Sequence, residues 1–421
     1  MTAPSITVYG AYWCPDCRRS KQFLSEHQIP YTWIDIEQDK KGEQFVIQVN
    51  KGKRIIPTIV FEDGSYLVEP SNAELAAKSG LKITANRSHY DLVVVGGGPA
   101  GLLTSIFTAR EGISTLVIEK AALGGQAFLT EKLDNMPGFH EGITGIEFAH
   151  RLRQQAERFG VELLQAQDVV SIQSHHNTHS VTTGDGSQYS GYALLISTRS
   201  RYRRLGVSGE NAYLGAGVHF CASCDGAFYR GKNVIVVGGG NSAAEASLLL
   251  TRYADQVTML VRRGEFTASK VIQEQVLAHS KIKVRWHTEV QEFIGEKSKL
   301  KRLRLKNNRT NEEEPLAVDG AFIYIGMTPN TGFLQDSGIS LDPWRFIITG
   351  HDLVHNGQRP PGFEKREPSF LETSVPGIFA AGDVRAGSIK QAASAAGEGA
   401  SVSALVHAYL KTGDVRRSNG R

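Results

Sequence analysis

An α/β chain built from three parts is what this sequence predicts, and three observations predict it. Two glycine-rich segments, beginning at Gly96 and Gly238, each follow an apolar run and open a helical stretch. That strand–turn–helix order is how a parallel sheet presents a nucleotide-binding loop. All four cysteines fall into two Cys-x-x-Cys pairs, Cys14/Cys17 and Cys221/Cys224. The length of 421 residues exceeds one ordinary domain and leaves room for about two to four.

Composition narrows the function classes. With 47 basic against 43 acidic residues the net charge is only +4, so no strong steering toward nucleic acid or a membrane surface is expected. The basic run at 199–204 reads as solvated surface. No apolar run approaches the roughly 18 residues a spanning helix needs, and no basic segment leads into an apolar one at the N-terminus. A cytoplasmic protein with no membrane and no nucleic-acid partner is the expectation. Paired cysteines also suit a tetrahedral zinc site with four thiolate ligands. Here roughly two hundred residues and a nucleotide fingerprint separate the pairs, so redox pairs are expected and no metal.

Ile6 to Tyr9 reads as a short strand running into Cys14-Pro15-Asp16-Cys17, followed by a helix with Phe23 and Leu24 on its apolar face. Cys14 then sits at a helix N-terminus, where the dipole and unpaired N–H groups favour a thiolate, and Arg18 and Arg19 add positive charge. Cys17, one turn on, is placed to resolve a mixed disulfide. A strand at Tyr31 to Ile36, a second helix and a segment at 55–61 follow, with Glu62-Asp63-Gly64 as a hairpin turn. Residues 1–80 resemble a glutaredoxin, a thioredoxin-like fold, on the strength of Cys14-Pro15-Asp16-Cys17 after a strand and Pro57 before one. The resemblance implies a cis peptide at Pro57. Val68 to Asn72 stands where that family carries a Gly-Gly-x-Asp glutathione-binding segment. A short polar linker at 81–89 is expected to keep this domain close to the remainder of the chain.

Tyr90 to Val95 is a near-continuous apolar strand leading into Gly96, Gly98, Pro99, Ala100 and Gly101, with a helix expected at about 102–111. Gly96 permits the tight turn, Gly98 the approach of a pyrophosphate, and Gly101 close packing of helix on strand. Glu119 ends the next strand about 20 residues on, placed for a ribose hydroxyl. Gly125, Gln126 and Asn135 lie in loops whose composition fits both ordinary turns and backbone approaching a flat ligand. The second fingerprint carries Gly238, Gly240, Asn241, Ser242 and Ala243, with Ala243 as its third small residue. The strand after it ends in Arg262 and Arg263 in place of an acid, which suits a 2′-phosphate and therefore NADPH. Two such units suggest a flavoprotein taking hydride from NADPH. Residues 380–384 read as an apolar strand ending at Asp383, an acid available to a second part of the first nucleotide. In Cys221 to Asp225 two thiols are followed at once by a carboxylate able to carry the proton of thiol–disulfide exchange.

From Tyr90 onward the chain resembles a low-molecular-weight thioredoxin reductase, on both fingerprints, Cys221-Ala-Ser-Cys224-Asp225, Gly326-Met-Thr-Pro-Asn330, Gly382-Asp383 and Lys390-Gln391-Ala392. The resemblance implies FAD in the first unit, with Asp383 on its ribityl chain and Lys390, Gln391 and Ala392 near the ring. It implies NADPH in the second, with Gly326 beside the nucleotide. By that family's mechanism Cys224 faces the flavin, Cys221 attacks the partner disulfide, and Asp225 is the acid/base. A homodimer and a hinge-type rotation between domains are implied as well. The implied division is a glutaredoxin-like domain at 1–80, a linker at 81–89, an FAD domain at 90–204 and 331–421, and an NADPH domain at 205–330. Four positions depart from the family pattern: Arg199, Val261, Thr267 and Lys390; residues 351–367 look inserted. The expected activity is an NADPH-driven disulfide reductase passing electrons through FAD and Cys221/Cys224 to Cys14/Cys17. From there they reach an external protein disulfide, whether on a thioredoxin, a redoxin or a peroxiredoxin-type client. The alternative is a reductase of free thioredoxin or a glutathione disulfide, with the first domain acting independently or as a docking module.

Overall fold

The computed structural model describes residues 6–27, 29–127, 133, 135–296, 299–354 and 356–412; for Gln22, Glu26, Ser223 and Cys224 it describes the backbone alone. The chain divides into two compact units, one of Met1–Leu129, Thr144–Arg199 and Pro329–Arg421, the other of Thr130–Ile143 and Ser200–Thr328.

Alternating buried and half-buried residues make Ile6–Gly10 the central strand of the first sheet. It pairs in parallel with Tyr31–Asp35 and antiparallel with Thr58–Val60, which turns back on Tyr66–Val68. Helices Pro15–Glu26, Lys40–Val49 and Asn72–Lys78 accompany this sheet, around a core that includes Val8, Leu24, Ile59 and Leu75. The Ile56–Pro57 peptide is cis.

The residues expected to act as linker are pinned. Gln165 N–H donates to the Lys82 carbonyl (3.0 Å), and Gln167 Nε2 donates to that of Ile83 (2.8 Å). Asn86 N–H and Lys82 Nζ both reach Glu162 Oε1, at 2.6 and 2.7 Å. Leu81, Ile83 and Ala166 pack on the small domain's core. A chain of Gly/Ser character would wander at this length; this one is fastened along most of it.

The larger sheet of the first unit places His89–Val95 between Thr115–Ile118 and Gln188–Ile196, all parallel, with Ile378–Ala380 on the far side of Gln188–Ile196. The apolar run of the central strand follows from burial on both faces. Helices Pro99–Arg110 and Ala392–Lys411 cross closely because Gly399 has no side chain: a Cβ there would lie 2.4 Å from the Ala100 carbonyl oxygen. Thr104 Oγ1 bonds the Gly399 carbonyl across the same contact (2.8 Å). Within residues 351–367, Phe363 is fully buried, and the neighbouring Arg366 clasps buried Glu372 with two bonds of 2.6 and 2.7 Å.

In the second unit five parallel strands run in the order Val218–His219, Gly320–Ile323, Asn233–Val237, Gln256–Val261 and Ile282–Trp286. A three-stranded antiparallel sheet, Thr288–Glu296 with Lys299–Asn307 and Glu313–Ala317, adds to it. Among the described residues no helix is long and apolar enough to cross a membrane.

Candidate redox and nucleotide sites

Cys14 caps the helix Pro15–Glu26, its sulfur accepting the Cys17 N–H at 3.1 Å. A helix N-terminus favours negative charge at this position. Cys14 Sγ also lies 3.7 Å from the Ile56 carbonyl, next to the cis proline. Both sulfurs are free thiols and buried. Burial first, then the hydrogen bond with Cys14, pushes the Cys17 thiol up to about 12, so Cys17 keeps its proton in neutral solution. Gly10 makes room for it, since a Cβ there would stand 2.7 Å from Cys17 Sγ. Asp16 is spent on an exposed pair with Arg19, whose Nη2 also holds the Pro70 carbonyl (2.9 Å). At the segment replacing the glutathione motif, Glu74 takes both the N–H and the hydroxyl of Ser71, each at 2.8 Å, in a capping box.

The three glycines of the first loop differ in the space around them. A Cβ at Gly96 (φ 108°) would strike the Ser197 carbonyl at 2.4 Å, and one at Gly101 the Gly96 carbonyl at 2.0 Å. One at Gly98 meets nothing closer than 4.0 Å, so that face is open to a ligand. The helix begins at Pro99, three residues earlier than the sequence suggests, because Gly98 itself is the N-cap and proline suits the first turn. Buried Glu119 accepts from Gly97 N–H (2.7 Å) and Ala121 N–H (2.8 Å), which anchors the loop as well as placing an acid at the strand end. Ser197 Oγ ties the same loop through the Gly96 carbonyl (2.7 Å). Gly125 lies against Gly98, its Cβ position 3.1 Å from the Gly98 Cα.

Asp383 is not on a strand: the strand stops at Ala380 and the acid sits on the short turn Gly382–Val384. Burial raises its carboxyl above the usual range. Lys390 stands beside it with a left-handed backbone (φ 61°), its Nζ donating to the Asp383 and Arg385 carbonyls at 2.8 and 2.9 Å. Burial brings that amine down to about 8. Glu398, which no motif marks, braces the turn through Gly382 N–H and Arg385 (2.6 Å each). Gln391 occupies the N-cap position of the helix that begins at Ala392. Gly96, Gly98, Pro99, Ala100, Gly101, Glu119, Gly125, Gln126, Asp383, Lys390, Gln391 and Ala392 thus all lie in the first unit, while Asn135 lies in a segment of the second. Arg199, in the position of a family glycine, is also left-handed (φ 60°) and lies 3.9 Å from Glu119.

In the second unit Gly238 (φ 143°) turns against the Tyr324 carbonyl, 2.3 Å from where a Cβ would be, and Gly240 faces open space up to Thr267 at 3.7 Å. Thr267, one of the departing positions, donates its N–H to the Gly239 carbonyl (2.8 Å), and Asn241 Oδ1 accepts Ser269 N–H (2.7 Å). Ser242 and Ala243 continue the helix Asn241–Leu250. Val261 is core. The backbones of Arg262 and Arg263 are held by Asn308 Nδ2 and His287 N–H, at 2.7 and 3.2 Å, while the Arg262 side chain is 72% exposed. Gly326 (φ 98°) accepts Arg203 N–H at its carbonyl (3.0 Å).

Cys221 is disulfide-bonded and precedes the single helical turn Ala222–Asp225. The side chain of Cys224 lies outside the described residues. Asp225 Oδ2 is 3.2 Å from His219 Nδ1, whose Nε2 is 2.6 Å from Tyr229 Oη. Ala222 N–H donates to Tyr324 Oη (2.7 Å). His219, Tyr229 and Tyr324 escape sequence reading, since none sits at a motif position. The one signal is a histidine two residues before a redox pair. Among the described residues no cluster of three or more His, Cys, Asp or Glu is placed to hold a metal ion.

Comparison with known proteins places both parts of the chain in families. A family model for pyridine nucleotide-disulphide oxidoreductases matches residues 90–399, and one for glutaredoxins matches residues 6–66. A thioredoxin reductase of Treponema pallidum (strain Nichols) is 38% identical over 323 residues, which span 77% of this chain and 98% of that protein. A bifunctional thioredoxin reductase/thioredoxin of Mycobacterium leprae (strain TN) is 36% identical over 317 residues, 75% of this chain and 65% of that protein. The crystal structure of thioredoxin reductase from Streptococcus pyogenes MGAS5005 superposes with a TM-score of 0.68 at 36% identity, over 77% of this chain and 99% of the other.

Proposed function

The chain belongs to the pyridine nucleotide-disulphide oxidoreductases of the thioredoxin reductase type, with a glutaredoxin domain ahead of the reductase, and on that premise we propose that the two cysteine pairs act in series. Such reductases are oxidoreductases that contain FAD and depend on NADPH. The open face at Gly98, the two glycines packed too tightly for any side chain, and buried Asp383 fit a dinucleotide in the first unit. Gly240 and the exposed arginines fit NADPH in the second. The chemistry that the bound pair supplies is transfer of two electrons from nicotinamide through flavin to a disulfide.

The roles of this chain's residues come from their placement. Gly96, Gly98, Pro99, Ala100 and Gly101 would receive a pyrophosphate at a helix N-terminus. Glu119 would hold the ribose, with Gly125 and Gln126 lining the same loop. Asp383 would bond the ribityl chain, and Lys390, Gln391 and Ala392 would lie near the ring. Arg262 and Arg263 would select the 2′-phosphate, with Gly238, Asn241, Ser242, Ala243 and Gly326 forming the cradle. Cys221 and Cys224 are the reacting pair and Asp225 their acid/base. Cys14 then attacks or receives, and Cys17 resolves, before a thioredoxin-type or peroxiredoxin-type disulfide is reduced.

One observation carries the serial reading: the glutaredoxin domain is fastened to the reductase by hydrogen bonds along residues 82–86 rather than left on a loose tether. A partner held in the same chain reaches about millimolar effective concentration. The resemblance to the reductases implies that a hinge-type rotation between domains would bring the two pairs together. A glutathione acceptor is disfavoured because Glu74 already occupies the Ser71 donors. The test is rapid mixing with NADPH, with thiols trapped and counted. NADPH should open both pairs in the wild type, and Cys14→Ser/Cys17→Ser should abolish turnover with the protein acceptor while the Cys221 pair still opens. Unchanged turnover in that variant would leave the first domain as a docking module or a parallel redoxin.

A further inference from the structure

Behind the Cys221–Asp225 turn lies a buried polar cluster on the short strand Val218–His219. His219 is 7% exposed, places Nδ1 3.2 Å from Asp225 Oδ2 and Nε2 2.6 Å from Tyr229 Oη, and stacks on Phe322 with ring centroids 5.3 Å apart. Tyr229 has no slack, because a Cβ at Gly320 would lie 2.2 Å from its ring. Tyr324, just after the strand Gly320–Ile323, accepts Ala222 N–H. Asp319, just before that strand, acts on Tyr229 through its charge, and Lys232 lies 5.4 Å from the Tyr229 ring centre.

These contacts fix the histidine's two states. An ionised Asp225 only accepts, so Nδ1 carries hydrogen, and neutral Nε2 accepts from the Tyr229 hydroxyl. With a second proton, Nε2–H donates to the Tyr229 oxygen and the carboxylate faces the other side. Burial holds both phenols protonated through the neutral range. Asp225 and His219 are therefore the pair that can exchange protons next to the disulfide.

We propose that His219 is a positioning residue that, through Asp225, holds one of the two protons accompanying the two electrons into the Cys221/Cys224 pair. Reduction breaks the S–S bond and leaves one thiol, one thiolate and an imidazolium, so two electrons and two protons have entered. The thiolate attacks a sulfur of the client disulfide. An enzyme–client S–S bond forms, the client bond breaks, and the leaving thiolate takes the proton that Asp225 relays from His219. The remaining thiol gives up its proton, displaces the client's second sulfur and closes the enzyme disulfide. That sulfur leaves with the proton, and His219 is neutral again. This rests on the reading that Cys221/Cys224 is the reacting pair.

The test uses the full-length holoenzyme with Cys14→Ser/Cys17→Ser, so that one pair is counted. It is equilibrated with reduced and oxidised dithiothreitol across about pH 5 to 8, where histidines titrate, and the thiols are trapped. Dithiothreitol carries both protons over this range. The exchange constant is then flat where the reduced pair keeps two protons and climbs about tenfold per pH unit where it keeps one. His219→Gln should start the climb at least about one unit lower than the parent, since the second proton has lost its site. Tyr229→Phe should fall between them, because a buried imidazolium loses a charge-assisted acceptor. A break at the same pH in all three proteins overturns the proposal. A pair that NADPH does not open in the trapping experiment overturns the underlying reading instead.

Discussion

The two cysteine pairs share a spacing and a place ahead of a helical turn, yet their surroundings differ in kind. Around Cys14 and Cys17 the packing is apolar: Ala11, Ile36, Val46 and Ile56 share their cluster, and the nearest acid, Asp16, points outward to Arg19. Just after Cys221 the chain carries a carboxylate to a buried histidine, whose other ring nitrogen meets a phenol. The difference teaches where proton traffic is handled. On the reading proposed above, the pair that would take electrons from a flavin has a carboxylate and a histidine close by, whereas the buried Cys14/Cys17 pair has only apolar neighbours in its cluster.

The largest test of that contrast is the pair of matched carboxylate changes. Asp225→Asn should lower turnover with a disulfide acceptor by about 10²–10⁴-fold, the range for a positioned acid/base. Asp16→Asn should change it by less than about twofold, since an exposed ion pair is worth little. Steady-state assays of both variants decide it; comparable losses would erase the contrast.

Much of this is legible in the sequence because glycine loops and Cys-x-x-Cys pairs are local signals. Gly96 and Gly101 stand where a side chain would clash and Gly98 faces open space, and Pro57 is cis as the glutaredoxin resemblance implies. What escapes is what depends on distant chain. His219 meets Tyr229 across the redox turn, and Glu398 reaches Gly382 from another element. Asp383 reads as the end of a strand because 380–384 is apolar up to the acid, but Gly382 (φ 74°) ends the strand early and turns the chain. Arg199 and Lys390 adopt left-handed backbones that glycine or asparagine would adopt at lower cost, which composition cannot reveal. Their interactions, with Glu119 and with the Asp383 turn, accompany that cost.

A second, smaller test compares the glycines that make room for each pair. Gly10→Ala drives a methyl into Cys17 Sγ and Trp33, and Gly320→Ala drives one into the Tyr229 ring. Each should cost about 1–3 kcal/mol of stability, the usual overpacking penalty, read from denaturant unfolding. If the contrast holds, only Gly320→Ala should also alter the pH dependence of exchange at Cys221, because only it displaces a member of the proton-handling cluster.

The smallest effect concerns Cys17 alone. Its thiol is raised to about 12, so its thiolate fraction at neutral pH is minute and grows about tenfold per pH unit up to that value. Alkylation followed by mass spectrometry should therefore find Cys14 modified first, with Cys17 following only as pH climbs. The sign for stability is the reverse of that for a carboxylate held below its usual range: the unfolded chain releases this proton at ordinary thiol pH, about 8.5, while the folded domain retains it. The glutaredoxin domain should therefore lose stability as pH rises above that point, and the loss should continue until the folded thiol ionises. No such alkaline loss, or equal labelling of both cysteines at neutral pH, would show that the first pair is not sealed, and would bring its chemistry closer to that of the second.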